Sequence, residues 1–334
     1  MSAEPSPQGD RELWILDSLC ATLSTTVYDG HTAEIMNTEE LNTKFTVPDQ
    51  LEFIAGKGGL PCIAIDNGAA CALISIYGGQ VLGYQPAGTT EEILFLSQKA
   101  HYEEGKAIKG GIPICWPWFG ADPEGKGPAH GFARNRMWNV IKTEGSNDGV
   151  TKVTLGFSDS TATKKIWPHT FELTLEISVG QSLGLVLTTH NTGNQPFTIT
   201  QALHTYFSVD EINQVKIAGL DGVNYLDKVD NFKQKQQTGD VTIAGEVDRI
   251  YTEAPPLLMI DDAARPRRIQ IESSGNKTAV IWNPWAEITA SMADLEEDAY
   301  QHFICVETAN AADDAIEIAA GESHRLTANY RVVD

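Results

Sequence analysis

FELTLEISV, residues 171–179, alternates strictly between apolar and polar side chains. A period of two places the apolar side chains on one face of a β-strand and the polar ones on the other. VTLGF (153–157) and LTANYRV (326–332) alternate in the same way. Turn clusters separate such runs, namely NDG (147–149), NTGNQP (191–196), SSGN (273–276) and AAGE (319–322). We therefore predict a mainly β protein, a large antiparallel sandwich with few short helices.

Helical periodicity is scarce in this chain. The best candidates are a segment near Leu13–Leu23 and a short turn around Met292–Asp298. The first 45 residues are the least patterned, and no linker interrupts the rest. The sequence therefore predicts an N-terminal extension over residues 1–45, packed on or flanking the core, and a single β-sandwich domain over residues 46–334.

The chain has 334 residues and a net charge of −21. Such an acidic surface repels nucleic acid and anionic membranes, so we expect neither as a partner. An anionic small substrate would need a local cluster of cations. We predict no signal peptide, because no basic segment followed by an apolar run opens the chain, and no run of apolar residues is long enough to span a bilayer.

The five cysteines are odd in number, scattered and without a C-x-x-C pair: Cys20, Cys62, Cys71, Cys115 and Cys305. This pattern indicates buried, reduced thiols and a cytoplasmic setting.

KGGIPICWPWFG, residues 109–120, resembles a phosphate loop only superficially. A Walker A loop places its lysine after the glycines and leads into a helix, whereas here Lys109 precedes them and two prolines follow. On residue types alone, the aromatic run favours a plug in the sandwich core. HGFAR, residues 130–134, weakens that interpretation, because His130 and Arg134 lie close together beside Gly131 in a loop.

Two further residues are candidates for acid–base chemistry. In FTITQALHTYFSV (197–209), strand alternation places His204 on the face with the hydroxyls, as it would an ordinary solvent-facing histidine. Glu307 ends the apolar run Phe303–Glu307, where desolvation would raise its pKa towards that of a useful general base. The same pattern is equally compatible with a structural glutamate that pairs with an arginine at the end of a strand.

His130, His204 and Glu307 together allow two chemistries. One is proton transfer shared by a carboxylate and an imidazole, and the other is a two-histidine, one-carboxylate metal site. No H-x-H or H-x-x-E spacing supports the metal site. A serine hydrolase is the weakest alternative, because G-x-S-x-G is absent from the sequence.

Six segments taken together resemble the hexose-6-phosphate mutarotases, also called glucose-6-phosphate 1-epimerases, of the aldose 1-epimerase superfamily. The segments are GGIPICWPWFG, HGFARNRMW, LHTYF, EVDRIY, NPW and ICVETAN, in order between about Gly59 and the C-terminus. The resemblance implies a β-supersandwich like that of galactose mutarotase. It also implies interconversion of the α and β anomers of a phosphorylated aldohexose.

The resemblance further assigns roles to individual residues. His204 of LHTYF is implied as the general acid and Glu307 as the general base. His130 is expected at the sugar ring, and Asp248 of EVDRIY is expected to bind substrate. Arg134 is implied to help hold the phosphate.

One position departs from the family pattern. Its members usually carry an arginine before GGIP, whereas this chain has Lys109, which keeps the charge but loses the bidentate fork. Lys106 is a candidate for a compensating cation.

The expected reaction opens and recloses the sugar ring and requires no cofactor and no metal. At ordinary pKa values, about 4.3 for a carboxyl and 6.5 for an imidazole, we expect charges of −1 on Glu307 and about +1 on His204 once they are paired. The expected partner is a small sugar phosphate, most simply glucose 6-phosphate, bound to a monomer. The alternatives are an epimerase of non-phosphorylated aldoses and a non-catalytic sugar-phosphate-binding protein on the same scaffold.

Overall fold

The computed structural model of the protein describes residues 36–265 and 267–333. Three helices lie in these ranges: α1 (Thr38–Phe45), α2 (Thr161–Ile166) and α3 (Trp285–Ser291). The strands are β1 (Leu51–Ala55), β2 (Pro61–Asp66), β3 (Ala70–Ser75), β4 (Gln80–Pro86), β5 (Ile114–Cys115), β6 (Asn139–Gly145), β7 (Thr151–Ser158), β8 (Phe171–Val179), β9 (Ser182–Asn191), β10 (Phe197–Ile199), β11 (Gln201–Leu203), β12 (Tyr206–Ser208), β13 (Val215–Ala218), β14 (Asn224–Asp227), β15 (Lys233–Gln236), β16 (Val241–Thr242), β17 (Val247–Thr252), β18 (Leu257–Asp262), β19 (Arg267–Ser274), β20 (Thr278–Asn283), β21 (Phe303–Asn310), β22 (Ile316–Ile318) and β23 (Ser323–Val333).

Two large antiparallel sheets make up most of the fold. The nine-stranded sheet has the order β16-β13-β18-β19-β23-β9-β8-β7-β6. The eight-stranded sheet has the order β15-β14-β17-β20-β21-β11-β5, with β12 also paired to β21. A four-stranded sheet, β1-β2-β3-β4, and the pair β10-β22 complete the described strands. The prediction of a mainly antiparallel β protein with few helices is confirmed.

The strand β8 shows why the alternating pattern specifies this architecture. Its five apolar residues are buried, whereas Glu172 and Glu176 are exposed. Burial of one Leu or Phe side chain stabilises the fold by about 1.5–3 kcal/mol, so a one-residue slip of register would be costly. Leu175 on β8 belongs to the same core cluster as Ile281 and Val306 of the eight-stranded sheet. The main core therefore includes side chains of both large sheets.

The helices were the least predictable elements. Residues 292–298, a candidate for helical structure, form non-helical turns, and the three helices α1, α2 and α3 were not predicted. Asn37 caps α1 by accepting hydrogen bonds from Glu39 and Glu40, and the helix buries Leu41 and Phe45 in the main core. The predicted helical segment near Leu13–Leu23, like most of the predicted extension, lies outside the described residues. Within the described ranges no helix is both long enough and apolar enough to cross a membrane.

The segment 197–209, expected as one alternating strand, is broken into β10, β11 and β12. The breaks fall at Thr200 and at His204–Thr205, where the backbone N–H of His204 donates to the carbonyl of Pro113. The pairing with β21 keeps one register across the second break, with Leu203 opposite Thr308 and Tyr206 opposite Cys305. The break therefore changes the backbone hydrogen bonds of this strand without shifting it.

Candidate active site

Three of the predicted site residues, His204, Glu307 and Asp248, lie on one face of the eight-stranded sheet. Directly paired residues of an antiparallel sheet carry their side chains on the same face. One row of such partners crosses four strands: Asp248, Trp282, Cys305 and Tyr206. Glu307 follows Cys305 by two positions on β21 and therefore shares that face. His204 lies opposite Glu307 because the register is continuous across the break.

His204 and Glu307 form a buried pair at the centre of this face. The Nε2 atom of His204 lies 3.5 Å from Oε1 of Glu307, and their side chains are only 8% and 1% exposed. The imidazole stacks on the Tyr206 ring, with centroids 4.9 Å apart and planes 11° from parallel. Nδ1 of His204 and Oε2 of Glu307 are buried and have no hydrogen-bond partner within the described chain. Buried polar atoms without partners are rare, and they are typical of functional sites.

Burial decides the protonation state of this pair. It raises the pKa of the Glu307 carboxyl well above its usual range, and the nearby negative charge of Asp248 raises it further. It lowers the pKa of His204 well below its usual range, and the neighbouring cations, Arg134 among them, act in the same direction. Burial of both groups therefore opposes the expected charges of −1 and about +1 in the free protein and favours the uncharged forms.

His130 stands beside the pair in a strained backbone conformation. Its φ is 62°, and its ring centroid lies 5.6 Å from that of His204. The Nδ1 atom accepts a hydrogen bond from the N–H of Gly120 at 3.4 Å, so the neutral ring carries its proton on Nε2. Burial lowers the pKa of His130 to about 3, and the charges of Arg134 and Lys228 contribute to this shift. His130 is therefore a neutral donor at physiological pH.

The aromatic segment after GGIP holds His130 in place. The residue after it, Gly131, has a φ of 73°, and a Cβ there would lie 1.9 Å from the carbonyl oxygen of Trp116. Only glycine permits this approach. Trp116 is fully buried and donates from its indole nitrogen to Thr189 Oγ1. The segment is thus a core plug, as its residue types predict, and it also positions the histidine of the site.

Two residues at the site were missed by the sequence analysis. Phe119 is half-buried, and its ring packs edge-on against His130 with centroids 4.9 Å apart. Lys228 follows β14, and its Nζ lies 2.5 Å from Oδ2 of Asp248 and 5.9 Å from the Phe119 ring centroid. A lone lysine in YLDKVDN has no pattern that distinguishes it from a surface charge. The position of Phe119 directly after the two tryptophans could have indicated that it belongs to the site.

The other two predicted residues, Lys109 and Arg134, line a cavity next to the pair. The cavity has a volume of about 290 Å³ and is lined by His101, Lys106, Ala107, Ile108, Lys109, Pro113, Arg134, Tyr206 and Asp294. Two of its lining residues also contact His204. The Tyr206 ring stacks on the His204 ring, and the carbonyl of Pro113 accepts a hydrogen bond from the His204 backbone N–H. The Nζ of Lys109 lies 3.5 Å from Oδ2 of Asp294, and both side chains are largely buried.

Two further observations bear on alternative sites. A larger cavity of about 460 Å³, bordered by Ala64, Leu82 and Leu94, contains none of the predicted site residues. Its walls combine aliphatic side chains with polar and charged ones, among them Glu92, Glu296 and His302. In the part of the chain that the structure describes, no group of three or more His, Cys, Asp or Glu side chains has an arrangement that could hold a metal ion.

Known proteins with related sequences and folds cover most of this chain. The family model for aldose 1-epimerase matches residues 61–331. A protein of Escherichia coli (strain K12), provisionally named glucose-6-phosphate 1-epimerase, is 38% identical over 76% of this chain and 84% of its own length. A protein of Cenchrus ciliaris with the same provisional name is 37% identical over 83% of this chain and 84% of its own length.

The fold has a similar counterpart among solved structures. The crystal structure of a mutarotase from Salmonella typhimurium, also provisionally named, superposes with a TM-score of 0.81 at 32% identity and covers 87% of this chain and 96% of that one. The family match contains all six residues predicted from the sequence, Lys109 and Glu307 being the first and last of them.

Proposed function

The chain belongs to the aldose 1-epimerase family, and we propose that it interconverts the α and β anomers of a hexose 6-phosphate, with glucose 6-phosphate as the principal substrate. The observation that carries this proposal is the buried His204–Glu307 pair beside a cation-lined cavity. Anomerisation needs one group that exchanges a proton with the anomeric oxygen and one that exchanges a proton with the ring oxygen. The pair supplies both groups on one face of a rigid sheet.

In the proposed mechanism, Glu307 takes the proton of the anomeric hydroxyl while His204 donates a proton to the ring oxygen. The bond between C1 and the ring oxygen breaks, and the sugar opens to a free aldehyde. Rotation about C1–C2 presents the other carbonyl face, and reversal of both proton transfers closes the ring as the other anomer. Positioned acid–base groups of this kind contribute about 10² to 10⁴ in rate each.

The pair needs only one proton for both directions of this reaction. With the proton on His204 and Glu307 ionised, the pair is set for ring opening; with the proton on Glu307, it is set for ring closure. Burial favours the second arrangement in the free protein. A bound sugar brings hydroxyl donors to the carboxylate, which stabilises the ionised form and prepares the first step.

The cavity beside the pair is suited to the phosphate. Lys109, Arg134 and Lys106 bring positive charge to its walls in a protein whose net charge is −21. Lys109 compensates in part for the missing arginine, and Lys106, which pairs with Glu103 near the surface, adds a second flexible cation. A half-enclosed cluster of cations strengthens binding of a phosphate because the local dielectric constant is lower than that of water.

Anomer-exchange NMR on glucose, galactose, mannose and their 6-phosphates tests the proposal. We expect exchange to be accelerated for hexose 6-phosphates, and glucose 6-phosphate to be the best substrate. Equal acceleration of glucose and glucose 6-phosphate would favour an epimerase of free aldoses. Binding of glucose 6-phosphate without faster exchange would favour a non-catalytic sugar-phosphate-binding protein.

Cys62, Cys115 and Cys305 are buried thiols, and burial raises the pKa of Cys115 to about 12, so it stays protonated and unreactive. We therefore propose that the enzyme works in a reducing compartment such as the cytoplasm, and we propose a monomer as its working state.

A further inference from the structure

Lys228 is held at the site by both its backbone and its side chain. Its N–H donates to the carbonyl of Asp248 at 2.9 Å, which continues the pairing of β14 with β17. Its Nζ lies 2.5 Å from Oδ2 of Asp248, and the two side chains are 26% and 19% exposed. The ammonium also lies over the Phe119 ring, whose other neighbour is His130. The sheet therefore fixes a positive and a negative charge side by side at the site.

The stability of the hairpin does not explain this ion pair. Taking two charges largely out of water costs about as much free energy as their attraction returns, so such pairs add little to folding. The same hairpin already has a lysine that ties it together: Lys235 contacts Asp227 at 2.7 Å and Asp230 at 2.8 Å. A second lysine is not required for that purpose, so the position of Lys228 needs another explanation.

The charge of Lys228 acts on the centre of the site. It lowers the pKa of His130 and opposes the effect of burial on Glu307. Burial raises the pKa of Asp248, and Lys228 is the largest influence in the opposite direction, which keeps the carboxylate available as an acceptor. The geometry agrees, because Lys228 lies over the Phe119 ring, which packs on His130, and the His130 ring lies 5.6 Å from that of His204.

We propose that Lys228 is a substrate-positioning and specificity-determining residue, which donates from Nζ to one secondary hydroxyl of the sugar while Asp248 accepts from the adjacent hydroxyl. This inference rests on the proposed function. An ammonium has three donors, of which Asp248 occupies one, and a carboxylate accepts several hydrogen bonds. Two adjacent hydroxyl oxygens on a pyranose are spaced like a hydrogen-bonded pair, so the fixed Lys228–Asp248 spacing matches them.

The chemistry of such a pair implies a preference among sugars. Each hydroxyl at C2, C3 and C4 has a configuration that points it towards or away from a fixed partner. A site that leaves a charged donor unpaired when the hydroxyl is inverted or missing discriminates strongly against that sugar. Lys228 and Asp248 thus select the sugar ring, whereas the cation-lined cavity selects the phosphate.

Steady-state anomerisation of glucose 6-phosphate and its 2-deoxy, 3-deoxy and 4-deoxy derivatives tests this proposal in the wild type, Lys228→Met and Lys228→Arg. We expect Lys228→Met to lower kcat/KM for glucose 6-phosphate about 10- to 100-fold, chiefly through KM, because a hydrogen bond from a charged donor is lost. The loss should shrink to within about threefold for the deoxy sugar that lacks the contacted hydroxyl, because the substitution then removes nothing. Lys228→Arg should recover part of the activity.

Lys233→Met is the matched control, because it removes an exposed lysine from the same hairpin but away from the site, and it should leave all four substrates unaffected. An equal fold-loss on every substrate in Lys228→Met would overturn the proposal and leave Lys228 with a structural role. Lys228→Gln replaces Lys228→Met if that variant does not fold.

Failure of the proposed function has a different signature, since the wild type itself would not accelerate exchange of glucose 6-phosphate. The same four sugars measured by binding calorimetry would then still report whether the effect of Lys228→Met depends on one hydroxyl.

Discussion

His204 and Glu307 are cross-strand neighbours: β11 and β12 pair with β21 in one register, and the break between them brings Nε2 of the histidine to 3.5 Å from Oε1 of the glutamate. At the break, the backbone N–H of His204 is bonded to Pro113 of the GGIP segment. The proposed acid and base are therefore fixed by sheet pairing, and no mobile loop is needed to assemble them.

Glu307→Gln and His204→Asn should each abolish most of the anomerisation while the fold is kept. Each substitution preserves approximate size but removes a group that transfers a proton, so we expect kcat to fall by about 10² to 10⁴. The double variant should be little worse than either single one, because the two groups act as a unit. Anomer-exchange NMR on glucose 6-phosphate measures the rates.

Matched controls for this pair lie on strands away from the site. Glu317→Gln changes an exposed glutamate on β22, and His190→Asn changes a histidine on β9 that bonds to Ser323. Both controls should keep wild-type rates. Wild-type exchange in Glu307→Gln and His204→Asn would contradict the assigned roles.

The pH profile of kcat should stay flat through neutrality. The active pair holds one proton, a state limited on the acid side by the pKa of His204 and on the alkaline side by that of Glu307. Burial lowers the pKa of His204 and raises that of Glu307, so the pH range over which the pair holds one proton widens in both directions. Anomerisation rates at saturating glucose 6-phosphate, corrected for uncatalysed exchange, measure this pH profile. Loss of activity that begins near pH 6.5, as for an ordinary imidazole, would contradict the burial of the pair.

Glu307→Gln should stabilise the protein more at alkaline than at acidic pH. The folded pKa of Glu307 is raised above its unfolded value, so its contribution to stability is fully present below about pH 4.5 and is lost as pH rises through the folded pKa. Thermal unfolding at pH 5 and pH 8 should show a Tm difference from wild type that is larger at pH 8. Glu317→Gln should show no such trend.

Lys109→Met should impair phosphorylated sugars selectively. We expect kcat/KM for glucose 6-phosphate to fall about 10- to 100-fold, since a charged contact to the phosphate is lost, while any rate on glucose stays unchanged. Lys109→Arg should retain or improve the phosphate rate because it restores the bidentate fork. Equal losses on glucose and glucose 6-phosphate would place Lys109 outside the phosphate site.

The sequence predicted the strands well because period-two alternation is a local signal. β8 and β23 contain the predicted alternating runs, and β7 contains all of VTLGF. The short helices were harder, because α2 and α3 span only six and seven residues and have no sustained period. Their formation depends on caps and on the packing of flanking strands.

The site was predictable only in part. His204 and Glu307 lie in distinctive segments, and the resemblance to a family singled them out. Lys228 and Asp294 reach the site through the pairing of distant strands and through turns, and no local pattern records such contacts. The expected charges of the pair rested on ordinary pKa values, which do not include the desolvation that the sheet imposes.

The cation-lined cavity in a protein of net charge −21 has a kinetic consequence. A phosphorylated sugar approaching from solution meets a repulsive field at long range and an attractive one only near Lys109 and Arg134. Dissolved ions screen charges beyond about 8 Å at physiological ionic strength, so they weaken the repulsion before they weaken the final contacts. Encounter with substrate should therefore become faster as moderate salt is added, the reverse of the salt effect in enzymes that steer their substrates electrostatically.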